Sequence, residues 1–141
     1  MITTVPQVDL IEAFRSAGGK GPLYAEVPMC YAASEDKARE IAHRFHRWSL
    51  AGGPVMPELP DTNTFAAASS YITPDDVAEE VSLGPSSEPH LKPIHDYIEA
   101  GFDHLVLTQI GPEQDPFFEF FERQLRPTLS ADIPKASTRP N

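Results

Sequence analysis

Three groups of side chains could carry chemistry: Glu40 with His43 and His46, the thiol of Cys30, and the turn Gly84-Pro85-Ser86-Ser87. Glu40 and His43 stand at i, i+3, a spacing used in carboxylate-bridged metal centres, but those centres need a matching pair and further carboxylates on facing helices. Arg39, Arg44 and Arg47 share their face, so a solvated stripe with Glu40–Arg44 pairing is expected there instead of a metal site. Cys30 lies in strand-like sequence, where a lone cysteine serves as a small buried apolar residue rather than a nucleophile. The N–H groups after Gly84 could cradle a phosphate, and they equally describe a strand-to-helix turn with a serine cap. Thr4 and Gln7 carry the same ambiguity, as ligand contacts at a helix start or as a capping box. Phe117, Phe118, Phe120 and Phe121 could hold a cofactor ring, but their spacing on a terminal helix predicts core packing. The glycines form neither G-x-G-x-x-G nor a Walker loop, so no dinucleotide or P-loop motif is present.

The elements that must position these groups alternate between helix and strand. Thr4 opens a short helix with Leu10, Ile11, Phe14 and Ala17 at helical spacing, closed by Gly18-Gly19. Tyr24 to Ala32 reads as a strand with Val27, Met29 and Tyr31 on one face, and Pro28, lacking an N–H, implies an edge or a bulge. Ser34 caps a helix whose stripe is Ala38, Ile41, Ala42, Phe45 and Trp48. After the loop from Ala51 to Pro60, Asp61 or Thr62 caps a helix over residues 63–70, and Thr73-Pro74 starts another. Val81 to Leu83 is a short strand, and Ser87 caps a helix that carries Pro93 and ends at Gly101. His104 to Ile110 includes the run Leu105-Val106-Leu107, as in a strand covered on both faces. Asp115-Pro116 begins a last helix that Pro127 ends, and Ser130 to Asn141 reads as a disordered tail. This order implies βα units on a mostly parallel sheet, hence an α/β fold.

A chain of 141 residues is long enough for one domain, since at this size about 70% of the unfolded surface is buried on folding. The 15 prolines are spread along the chain and mark element boundaries instead of a low-complexity tract. A net charge of −10 opposes binding to nucleic acid or anionic lipid, which need a positive surface. No apolar run approaches the ~18 residues of a membrane span. With one cysteine and no signal-like N-terminal stretch, the expected compartment is the cytoplasm.

Several segments also carry a family resemblance: Gly84 to Glu88, Tyr97 to Leu107, Gln109 to Gln114, Phe117-Phe118 and Leu125-Arg126-Pro127, with Ile2-Thr3-Thr4, Phe14 to Gly19 and Cys30-Tyr31-Ala32 upstream. Together they resemble the C-terminal end of luciferase-like monooxygenases, most of all the deazaflavin (coenzyme F420)-dependent oxidoreductases, the group that includes the glucose-6-phosphate dehydrogenase of that cofactor type. The resemblance spans about residues 2–129. It implies the C-terminal portion of a TIM-type (β/α)8 barrel, about three parallel strands with covering helices, with residues 51–60 as a loop over the pocket. The strands at 24–32, 81–83 and 104–110 would be the final three. The implied cofactor is coenzyme F420, with FMN, the superfamily's other flavin, the second choice.

The family's acid–base histidine, tryptophan and glutamate lie in the earlier half of its fold, so the resemblance assigns no catalytic residue here. In the glucose-6-phosphate branch a threonine and three basic residues hold the phosphate. Thr4 matches the threonine, while the basic positions fall on Gln7, Met56 and Glu80, which would repel a phosphate. A less anionic substrate is expected. The substrate-side candidates are Thr4, Met56, Glu80 and Gln109, at strand ends or on the covering loop. The resulting expectation is a fragmentary deazaflavin-dependent oxidoreductase, inactive alone, which acts on a small molecule. The alternatives are a non-catalytic interaction module and a barrel half completed by another chain, with self-association as a further consequence of an open sheet.

Overall fold

The computed structural model describes residues 1–52 and 56–132. Its elements, in chain order, are β1 (Ile2–Thr3), α1 (Val8–Ser16), β2 (Tyr24–Cys30), α2 (Glu35–His46), α3 (Thr62–Ala68), α4 (Pro74–Glu80), β3 (Ser82–Leu83), α5 (Ser87–Glu99), β4 (His104–Gln109), α6 (Gln114–Phe120) and α7 (Arg126–Asp132). Short 3-10 turns cover Arg47–Leu50 and Met56–Glu58.

All strand pairs are parallel, and β2 is their centre. Six residues of β2 pair with β4, from Tyr24↔His104 to Met29↔Gln109. Even-numbered residues of β2 bond away from β4: the Tyr24 N–H donates to Met1 O at 2.8 Å, and Cys30 O accepts from the Gly84 N–H at 3.1 Å. Odd-numbered residues bond toward β4, with Met29 O accepting from the Ile110 N–H at 2.8 Å. Pro28, an even residue, therefore turns its nitrogen into the interval between β1 and β3, where no described strand pairs with β2. The proline does mark an edge, but only a local one in an otherwise central strand. A barrel succession would put β3 between β2 and β4. With two residues, β3 is too short to do so, and it meets only Met29 and Cys30 on the far side.

Strand alternation divides the side chains. Ala25, Val27 and Met29 are buried with Leu23 against Ile94 and Tyr97 of α5 and Phe117 and Phe120 of α6. On the other face Tyr24, Glu26, His104 and Val106 are exposed, so β4 is not covered on both sides as its apolar run predicts. A second cluster joins Cys30, Leu83 and Ile110 to Ala38, Ile41 and Ala42 of α2 and Val77 of α4. Phe45 and Trp48, expected on that helix's buried stripe, are 45% and 48% exposed; Trp48 leaves the stripe because the α-helix ends at His46 and a 3-10 turn follows. Gly111, at φ 93°, allows α2 to come close, since a Cβ there would run into Ile41.

Local signals set most boundaries. The Ser34 hydroxyl caps α2 by accepting the Lys37 N–H, and capping boxes Asp61–Thr64 and Thr73–Asp76 open α3 and α4. The expected Thr4–Gln7 box does not form. Helix α1 starts at Val8 after Gln7, which makes no side-chain capping bond, and Thr4 lies too far upstream to reach the first turn. Instead, Thr4 O accepts the Tyr97 hydroxyl at 2.7 Å. Pro127 does not end the last helix either. A π-helical turn at Phe121–Leu125 leads without a break into α7, and the helix runs on through Pro127, the wider turn just before it accommodating the residue without an N–H. Helix α7 thus continues to Asp132, into the segment expected to be aperiodic, while residues 133–141 lie outside the described residues.

Candidate substrate cleft

A cleft of about 650 Å³ opens where β1 stops and β3 has yet to begin. Thr4 follows β1, Pro28 provides part of β2, Glu80 closes α4, and His46, Ser49, Tyr71 and Asp76 complete the polar lining. His46, the last residue of α2, reaches the cleft from the helix end. His46 is half-buried, and that burial pushes its pKa down while the negative charge of Glu26 works against the shift. Trp48 meets the imidazole edge-on at 5.6 Å. His43, one turn earlier, places a ring nitrogen 2.9 Å from Ile72 O; as a carbonyl only accepts, that nitrogen carries the proton and fixes the segment beside Tyr71.

Asp76 is anchored by α4's capping box: its carboxylate accepts the Thr73 N–H and hydroxyl, each at 2.7 Å. These bonds hold its carboxyl below the usual range, so it is charged at neutral pH. With Glu80 the cleft carries two carboxylates, and among the described residues neither lysine nor arginine lines it. The arrangement can accept hydrogen bonds from hydroxyl or amino groups and disfavours anions.

Of the four sequence candidates, Thr4 and Glu80 meet in this cleft. Met56 begins the 3-10 turn and does not line it, and part of the expected covering loop, residues 53–55, lies outside the described residues. Gln109 is 9% exposed and committed elsewhere. Its amide oxygen accepts the Tyr31 N–H at 2.9 Å, and its amide nitrogen donates to Tyr31 O at 3.0 Å and Ile110 O at 3.2 Å. It clips the segment after β2 to the end of β4.

The expected Glu40–Arg44 pair is replaced by Lys37–Glu40 at 2.9 Å. Cys30 is buried, donates to Ile110 O at 3.5 Å, and has its pKa pushed up by burial to about 11, which removes it as a nucleophile. Phe117 and Phe120 are core, whereas Phe118 is 60% exposed. Sequence inspection passed over His90, which is wholly buried between Ser82 and Gly84. Its Nε2–H donates to Gly84 O at 2.9 Å, so Nδ1 accepts the Ser82 hydroxyl at 2.9 Å. The Gly84–Ser87 turn is thus pinned from within, and Ser86, its N-cap, makes no side-chain capping bond.

No protein-family model and no curated protein matches the sequence. The fold does match solved structures, and defines a partial TIM-barrel-like α/β class with a parallel sheet and covering helices. One such structure is an F420-dependent secondary alcohol dehydrogenase in complex with an F420–acetone adduct, similar at a TM-score of 0.67 and 19% identity over 86% of this chain. This chain covers 39% of that one. Among the described residues no helix is long and apolar enough to cross a membrane.

Proposed function

We propose that the chain is a substrate-side portion of a luciferase-like, deazaflavin-dependent oxidoreductase, whose reaction class is hydride transfer between the deazaflavin and a small organic molecule. The fold match to an F420-dependent dehydrogenase over 86% of the chain carries this reading, and the likeness of residues 84–114 to that group supports it. Thr4 follows the C-terminal end of β1, the side on which (β/α)8 enzymes hold substrates, and Glu80 reaches the same cleft from the end of α4. The cleft does not fit the deazaflavin itself: that cofactor carries phosphate and carboxylate groups, and Asp76 and Glu80 would face them without a cation. The role left to these residues is to orient a neutral or cationic substrate through Thr4, Tyr71 and the two carboxylates. The deazaflavin's redox chemistry depends on groups outside this chain, which alone is inactive.

The bare side of the sheet supports the same reading. Ile2, Tyr24 and His104 form one row across three strands, and Glu26 with Val106 forms the next. In a closed barrel such rows face inward and are filled by side chains from the other strands. A complementary barrel portion, or failing that a second copy, is the partner such a face would take.

Titration of the purified chain with oxidised coenzyme F420, followed by absorbance with molar mass from light scattering, tests the proposal. The expected result is no stoichiometric binding by the monomer. Tight one-to-one binding by a monomer would refute the claim that the deazaflavin seat lies outside this chain.

A further inference from the structure

We propose a second ligand site, separate from the cleft, in a cavity of about 310 Å³ between the end of α2 and α3, for a small oxyanion attached to a flat apolar ring. Arg44 and Arg47 supply the charge, Trp48 and Phe65 the apolar walls, and Thr62 and Ser69 the hydroxyls. Among the described residues, Arg15, Arg39, Arg123 and Arg126 each form an ion pair. Arg44 and Arg47 form none, although the protein has a net charge of −10 and acidic partners are plentiful. The nearest such partner for Arg44 on its own helix, Glu40, is taken by Lys37. Two guanidinium groups at one concavity, neither in an ion pair among the described residues and only one of them within reach of a carboxylate's field, leave a local positive site that an anion would neutralise.

The walls are held in place. The Arg47 Nε–H donates to the buried Ser69 hydroxyl at 3.4 Å, and that hydroxyl donates in turn to Phe65 O at 2.9 Å. The Arg44 guanidinium lies 5.2 Å from the Phe45 ring centroid. The Trp48 indole N–H donates to Phe45 O at 3.0 Å, which fixes its plane while 48% of the residue remains exposed. A rigid, half-exposed indole beside two arginines offers stacking to an aromatic body and forked donors to its anionic group. The volume lies at the low end for ligand pockets and limits the occupant to one or two rings.

Trp48 is the only tryptophan of the chain, so its fluorescence reports directly on this cavity. Titration with phenyl phosphate should give a saturable change, while phenol and inorganic phosphate should each need at least about ten-fold more. The double variant Arg44→Gln/Arg47→Gln, with its fold checked by circular dichroism, and the exposed single variant Arg44→Gln should both weaken phenyl phosphate, the double variant by at least about ten-fold. Phe65→Ala should weaken it less, and Lys20→Gln should leave it unchanged. A non-saturating response, an equal response to inorganic phosphate, or undiminished binding by the double variant would overturn the site. None of these outcomes depends on whether the chain belongs to a deazaflavin enzyme.

Discussion

Along β2, neighbouring residues meet opposite surroundings. Ala25 and Val27 are each 1% exposed beneath α5 and α6, while Tyr24 and Glu26, one step away, face solvent with His104 and Val106. Every residue on the covered side has an apolar partner contributed by this chain. On the other side the chain supplies a few lateral contacts: Tyr24 stacks on His104 at 4.6 Å, and the Thr108 hydroxyl donates to Glu26 at 2.8 Å. The difference separates the face that this chain covers with its own helices from the face that it leaves exposed.

The contrast breaks most sharply with a charge. Val27→Asp would bury an unpaired carboxylate, at a cost comparable to a domain's total stability of about 5–15 kcal/mol, and should abolish the cooperative melt followed by circular dichroism. Glu26→Gln, on the bare side, should stay within about 0.5 kcal/mol of the parent. Next in size is Gln109→Ala, which strands the part-buried Tyr31 N–H and should cost about 1–2 kcal/mol in urea denaturation. If Gln109 served a substrate instead, stability would hold and only ligand affinity would fall.

Smaller effects follow from titration. Burial pushes the pKa of His90 down, so the folded state binds fewer protons than the unfolded one around and below pH 6.5. The stability this residue contributes is present above its unfolded pKa and declines as pH falls toward its folded value. His90→Gln should flatten that part of the stability profile. The raised Cys30 pKa has the opposite sense: its contribution is complete below the unfolded value of 9.0 and is lost as pH rises through about 11. At pH 8, labelling by a thiol reagent should be slow in the native protein and fast in denaturant.

Much of this was legible in the sequence wherever the cause was local. Asp61, Thr73 and Ser34 announced their helices because capping involves residues three apart, and the run at 104–110 announced β4. What escaped depends on distant neighbours. Nothing near Gln109 tells that its amide will clip Tyr31, 78 residues away in sequence. His46 looked solvated on a helical projection, but the segments around Tyr71 and Glu80, distant in sequence, pack around the end of α2 and make it part of the cleft. Thr4 and Glu80 come to line one cleft because one follows β1 and the other precedes β3, two strands that pair with the same side of β2. The one-sided exposure of β4 escaped because an apolar run records what could be covered, not which chain covers it.

The central claim is that this chain covers one face of its sheet and leaves the other open. Urea denaturation of Val27→Ala and Val106→Ala, at a concentration where light scattering gives a monomer, tests it most directly. Val27→Ala should cost about 2 kcal/mol, and Val106→Ala, 55% exposed in the parent, no more than about 0.5 kcal/mol. Equal losses at the two positions would mean that the chain closes over both faces, and would contradict its assignment as an open portion of a barrel.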